Sequence, residues 1–118
     1  MESKKKVYSA FAELIYSVVM ADGEIREPEK LAIASIVKEH PIAQDIKRYF
    51  DSNIKGISIA QSFIHTLEVC KEHGEDVEYP FLLAIVERIS KVSEGIESDD
   101  ESILTDFVVN FRRKFYSN

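Results

Sequence analysis

The chain has 118 residues, 45% of them hydrophobic and 31% charged, a globular composition that leaves no room for a second full-sized domain, so residues 1–118 read as one domain. Fifteen basic against twenty-one acidic side chains give a net charge of -6, the wrong sign for gripping a phosphate backbone, and no nucleic acid partner is expected. The lone cysteine, Cys70, cannot form an internal disulfide, no apolar run approaches the ~20 residues that cross a bilayer, and no secretory leader pattern follows Lys4, Lys5 and Lys6, so the expected setting is cytoplasmic with no membrane span.

In chain order, Val7, Ala10, Phe11, Leu14, Ile15, Val18 and Val19 recur at steps of three and four, the spacing of one helix face. Asp22-Gly23 ends this first helix, because glycine tolerates the left-handed conformation that closes helices. Pro28 suits the first turn of a second helix with Leu31, Ile33, Ile36 and Val37 inward, stopping near His40-Pro41. A third helix is expected from about Ile42 to Asn53 with Ile46, Tyr49 and Phe50. A fourth should run from about Ser58 to His73, with Ala60, Phe63, Ile64, Leu67 and Cys70 on one side and Gly74 closing it. The fifth carries Leu82, Ile85, Val86, Ile89 and Val92. The sixth opens with Ser98 and Glu101 at the spacing of a capping box and buries Ile103, Leu104, Phe107, Val108, Phe111 and Phe115. No stretch sustains the alternation of a strand, so the expected fold is all-α, a single compact bundle of about six helices.

An internal pseudo-repeat lies within this pattern. A shift of 71 residues carries Phe11, Leu14, Ile15 and Val18 onto Leu82, Ile85, Val86 and Ile89, then Ile25 onto Ile96, Glu29 onto Asp100, and Ile33, Ile36 and Val37 onto Leu104, Phe107 and Val108. Negative charge gathers at the two equivalent bends. Asp22, Glu24, Glu27 and Glu29 stand against Arg26 alone, while Glu94, Glu97, Asp99, Asp100 and Glu101 have no base among them; together the two segments carry -8 against -6 for the whole chain.

The run from Ala21 to Glu29 invites comparison with a calcium loop, whose ligands stand at positions one, three, five and twelve with glycine at six. Asp22 to Glu29 reproduce positions five to twelve, but Val18 and Met20 would fill positions one and three. Neither has a side-chain oxygen, so a standard EF-hand is rejected. Ala21, Asp22, Gly23, Ile25 and Glu29 do resemble, residue for residue, the signature of the TerB tellurite-resistance family: Ala-Asp-Gly, a variable residue, an apolar residue, then glutamate four positions on. The chain is also similar to the TerB-like domain that precedes the J-domain in some membrane-anchored co-chaperones. Glu94 to Asp100 match the family's second acidic motif by position, although Ser93-Glu94-Gly95-Ile96 lacks the Asp-Gly pair and places its glycine one residue late.

What the resemblance implies is an all-helical, stress-associated module in which acidic residues are candidates for binding metal and to which no catalytic reaction is assigned. On that reading Asp22, Glu24, Glu29, Glu94 and Asp100 are the candidate ligands, with Gly23, Ile25, Gly95 and Ile96 shaping the turns. Carboxylate oxygens favour calcium, magnesium or manganese over softer metals. Two further readings fit the same residues: the acids complement the positive ends of helices, or they dock a basic protein partner without metal.

Elsewhere the residues read more simply. Cys70 and His73 lack the second pair of ligands that zinc needs, so Cys70 is expected in the core and His73 at the surface beside a helix end. His40 reads as a helix terminus, Lys4 to Lys6 as a solvated helix start, and Arg112, Arg113 and Lys114 as cations complementing the end of the last helix. Phosphate loop, nucleophile elbow and paired histidines around a glutamate are all missing from the sequence, and no enzyme is expected.

Overall fold

A computed structural model describes residues 2–21, 26–52, 54, 56–92 and 98–115. Among these residues the chain forms six helices: α1 (Glu2–Val19), α2 (Glu27–Ile36), α3 (Ile42–Ser52), α4 (Ile59–His73), α5 (Tyr79–Val92) and α6 (Ser98–Phe115). No strand occurs among them, and the bundle is all-α as the periodicity predicts. No helix among the described residues is long and apolar enough to cross a membrane.

The first helix is the axis of the bundle. From Ala10 to Val19 every side chain except Glu13 is at most 2% exposed, far more than one apolar stripe, because α3, α4 and α5 all pack against it. All seven residues of the predicted face are buried, and Ala12, Tyr16 and Ser17 join them from the other sides. The Tyr16 hydroxyl stays satisfied by donating to the carbonyl of Ile54 at 2.6 Å.

Local chemistry sets the helix ends. Pro28 lies in the first turn of α2. Ser58 caps α4 by accepting from the Gln61 N–H at 3.0 Å, and Gly74, at φ 92°, closes the same helix in a conformation that only glycine adopts without strain. α2 stops at Ile36, earlier than expected, because Glu39 turns left-handed at φ 64° and Pro41 disfavours a helical His40. The 71-residue correspondence extends to the helix starts, since α2 begins at Glu27 and α6 at Ser98. Phe11, Leu14, Ile15 and Val18 are as fully buried as Leu82, Ile85, Val86 and Ile89.

Two faces differ from expectation. Leu31 is 66% exposed, because Glu29 and Ile33, four residues apart, define the inward face of α2, and a residue midway between them points away. On α4 the deepest positions are Ile59, Ser62, Thr66 and Cys70, while Ile64 is 55% exposed and Phe63 and Leu67 lie only partly buried. The reason is close approach: the Thr66 hydroxyl reaches the Ala10 carbonyl of α1 at 3.3 Å as well as its own Ser62 carbonyl at 2.7 Å. Only small side chains fit between two helices so near each other, and the bulkier residues are displaced to the flanks.

The other side of the core is aromatic. Phe11, Phe63, Tyr79, Phe107, Phe111 and Phe115 form a chain of ring contacts with centroids 4.6 to 5.7 Å apart, which anchors α6 to α4 and α5. Cys70 is fully buried and burial pushes its thiol up to about 12, so it acts as an inert packing residue.

Among the described residues Ser62 Oγ is the buried side-chain polar atom that has no hydrogen-bond partner. Ser62→Ala is therefore expected to stabilise the fold by roughly 0.5–1 kcal/mol, since it removes a desolvated hydroxyl and improves helix propensity. Ser62→Val should destabilise it by about 1–3 kcal/mol through overpacking against α1. Urea melts of the two variants check both signs.

Candidate functional site

The acidic bends stand first, because sequence singles them out. Asp22, Gly23, Glu24 and Ile25 lie outside the described residues, as do Glu94, Gly95 and Ile96; Asp100 lies in the first turn of α6, where the backbone alone is described. Glu29 is placed. It is the third residue of α2 and is 1% exposed, and its carboxylate accepts the Arg26 N–H at 2.8 Å. Glu29 thus folds back over the start of its own helix and satisfies an amide that has no intrahelical partner. An arginine side chain has no acceptor, so the reciprocal half of a capping box cannot form here. Glu27 is largely exposed and lies 3.9 Å from Lys30. Among the described residues no group of three or more His, Cys, Asp or Glu side chains is arranged to hold a metal ion.

A second polar constellation, at the opposite end of α1, is absent from the sequence reading. Asp76 and Glu78 lie in the connection between α4 and α5 and gather donors from three separate parts of the chain. Glu78 Oε1 accepts from Lys4 Nζ at 2.8 Å and from the Tyr8 hydroxyl, both on α1, and Glu78 Oε2 accepts from His40 Nε2 at 2.6 Å. Asp76 Oδ2 accepts from Lys4 Nζ at 2.7 Å and from His73 Nε2 at 2.8 Å, while its Oδ1 takes the Glu78 N–H at 2.9 Å. The remaining ring nitrogens are engaged as well. His40 Nδ1 accepts the Ile42 N–H at the start of α3 at 3.1 Å, so that ring presents its Nε2 proton to Glu78, while His73 Nε2 faces Asp76 and its Nδ1 lies 2.6 Å from the Ser3 hydroxyl.

Lys4 is therefore not a solvated helix start: its ammonium bridges two carboxylates. His73 is not a plain surface residue either, because its side chain is only 16% exposed. His40 does mark a helix terminus, but its ring is held between Tyr8 and Phe81, with centroids 5.3 and 4.9 Å away, and its other nitrogen is committed to Glu78. Arg112 reaches back to Glu87 at 2.8 Å, tying α6 to α5.

The electrostatics follow from these contacts. Burial alone pushes both carboxyls up, but the bonds from Lys4, with those from His73 and the Glu78 amide for Asp76 and from Tyr8 and His40 for Glu78, outweigh it and hold each at about 2. Burial, then the bond to Glu78, pushes the Tyr8 hydroxyl up to about 12. Burial works against the charge on Lys4, yet its two carboxylate partners raise its pKa. Carboxylates this acidic and this fully engaged do not exchange protons near neutrality. Their work is to tie the first turns of α1 to the α2–α3 turn and the α4–α5 connection.

Both carboxyls have folded pKa values below their ordinary 3.8 and 4.5, so the stability they contribute is fully present above about pH 4.5 and is lost as pH falls towards 2. Stability measured by urea melts should decline across that window, with a shallower decline in Glu78→Gln. At neutral pH that variant is expected to lose about 2 kcal/mol, the scale of hydrogen bonds to a charged group. No known protein family, curated protein or solved structure matches the chain.

Proposed function

We propose that the chain is a noncatalytic, TerB-like, stress-associated helical module that binds a divalent cation at the acidic bend between α1 and α2, with the bend before α6 as a weaker counterpart. Asp22 and Glu29 supply oxygens and Glu24 tunes the charge at the first bend; Glu94 and Asp100 play the equivalent parts at the second. The observation that carries this reading is the direction of Glu29. Its buried carboxylate folds back to Arg26 at the edge of the bend instead of extending into solvent, so an anionic oxygen is held beside the segment that contributes Asp22 and Glu24.

Charge supports the same conclusion. Two like charges 6 Å apart repel by roughly 0.7 kcal/mol in water and about 3 kcal/mol at an effective dielectric of 20. Several acids gathered at one bend therefore favour a bound cation, and hard carboxylate oxygens favour calcium, magnesium or manganese.

Thermal melts with each of these ions at millimolar concentration test the proposal. A cation present at ten times its dissociation constant should stabilise the fold by about 1.4 kcal/mol, a rise of a few degrees in Tm. The rise should vanish in Asp22→Asn with Glu29→Gln, a pairing that keeps the helix cap because glutamine accepts the same backbone amide. No rise with any of the three ions, or an equal rise in the double variant, would contradict it.

A further inference from the structure

Ser3 carries an arrangement that the proposed cation site does not use. Its exposed hydroxyl lies 2.6 Å from His73 Nδ1, and the opposite nitrogen of that ring donates to Asp76 Oδ2 at 2.8 Å. The order is nucleophile, base and orienting carboxylate, each within hydrogen-bond reach of the next. Asp76 accepts from Lys4 and from His73 Nε2, so the ring nitrogen turned towards the Ser3 hydroxyl is Nδ1. Ser3 also stands in the first turn of α1, where backbone N–H groups have no intrahelical acceptor and the helix dipole favours a developing negative charge. Two other described exposed serines are engaged elsewhere. Ser52 donates to the Tyr49 carbonyl, and Ser58 accepts from the Gln61 amide.

We propose that Ser3 is a reactive nucleophile that accepts the acyl group of a small activated ester, with His73 as its general base and Asp76 as the positioning residue. Ser3 Oγ adds to the ester carbonyl carbon as its proton passes to His73 Nδ1. The tetrahedral adduct then collapses, the bond to the alcohol oxygen breaks, and the departing oxygen takes the proton back from the imidazolium. Hydroxyl and ester become O-acylserine and free alcohol, with no other reactant. Ser3 is exposed to solvent, so the proposed donor is small and activated and the event is a single transfer onto the protein, a modification rather than turnover.

The test is p-nitrophenyl acetate on the folded chain, with acetylation mapped and timed by peptide mass spectrometry. Ser3 should be acetylated at least tenfold faster than Ser52 and Ser58, which act as internal controls, and the excess should disappear in denaturant. His73→Gln keeps an N–H for Asp76 but has no imidazole base, so Ser3 should fall to the level of the controls. In His73→Ala, imidazole added to the buffer should restore part of the rate at Ser3 alone, an effect that a purely structural role for His73 would not give. Nitrogen NMR of the His73 ring should show protonation at Nε2 in the native chain and loss of that preference in Asp76→Asn. Equal acetylation of the three serines, an unchanged Ser3 rate in folded His73→Gln, or a ring protonated at Nδ1 would each overturn the proposal.

Discussion

The burial of α1 on nearly every side is the constraint from which the rest of the molecule follows. A helix enclosed over Ala10 to Val19 except at Glu13, which meets Tyr49 and His65, leaves little flank on which to place charge, so most of its polar chemistry gathers at its two ends. These are separated by about 27 Å of an 18-residue helix. At one end Lys4 and Tyr8 enter a network with Asp76 and Glu78; at the other the chain runs into the acidic bend that leads to α2. Both places to which function is assigned here are thus consequences of a single packing decision.

The two ends manage charge in opposite ways. At the first, two carboxylates share one ammonium, a phenol, two imidazoles and a backbone amide, and each oxygen has a donor. That satisfaction makes partial burial tolerable, because an unpaired carboxylate in the same place would carry a desolvation penalty without return. At the second, the sequence sets Asp22, Glu24, Glu27 and Glu29 against Arg26 and the following Lys30. A surplus of negative charge at the end of a rigid helix is the electrostatic setting that a cation completes, whereas the first end is already complete without one.

Helix number, order and most of the core were legible in the sequence because they depend on local spacing. α1 buries every residue that three-and-four periodicity selects; α5 buries Leu82, Ile85, Val86 and Ile89, with the Val92 side chain outside the described residues, and α6 buries Leu104, Phe107, Phe111 and Phe115 with Ile103 and Val108 partly buried. The inner face of α4 was not legible. Its Ser62, Thr66 and Cys70 carry no strong apolar signal, and what selects them is the nearness of α1, a property of the partner helix. Leu31 misled for the converse reason: it is apolar, but the helical angle that places Glu29 and Ile33 inward turns it outward. The network of Lys4, Tyr8, His40, His73, Asp76 and Glu78 joins residues up to 74 positions apart, beyond the reach of any local pattern. Its faint trace is the group Glu75, Asp76 and Glu78 just after the helix-closing Gly74, in a stretch with no lysine or arginine between Lys71 and Arg88. Of the first acidic bend, the helix-capping part played by Glu29 was among the readings its position allowed, and the structure places that residue.

Whether the far end of α1 holds a cation is read most directly from anomalous scattering in crystals soaked with manganese. The expected result is a peak within coordination distance of carboxylate oxygens from Asp22 and Glu29. A map without that peak, in which the two carboxylates point apart and bond only backbone amides, would contradict the proposed function and leave the bend as a helix junction.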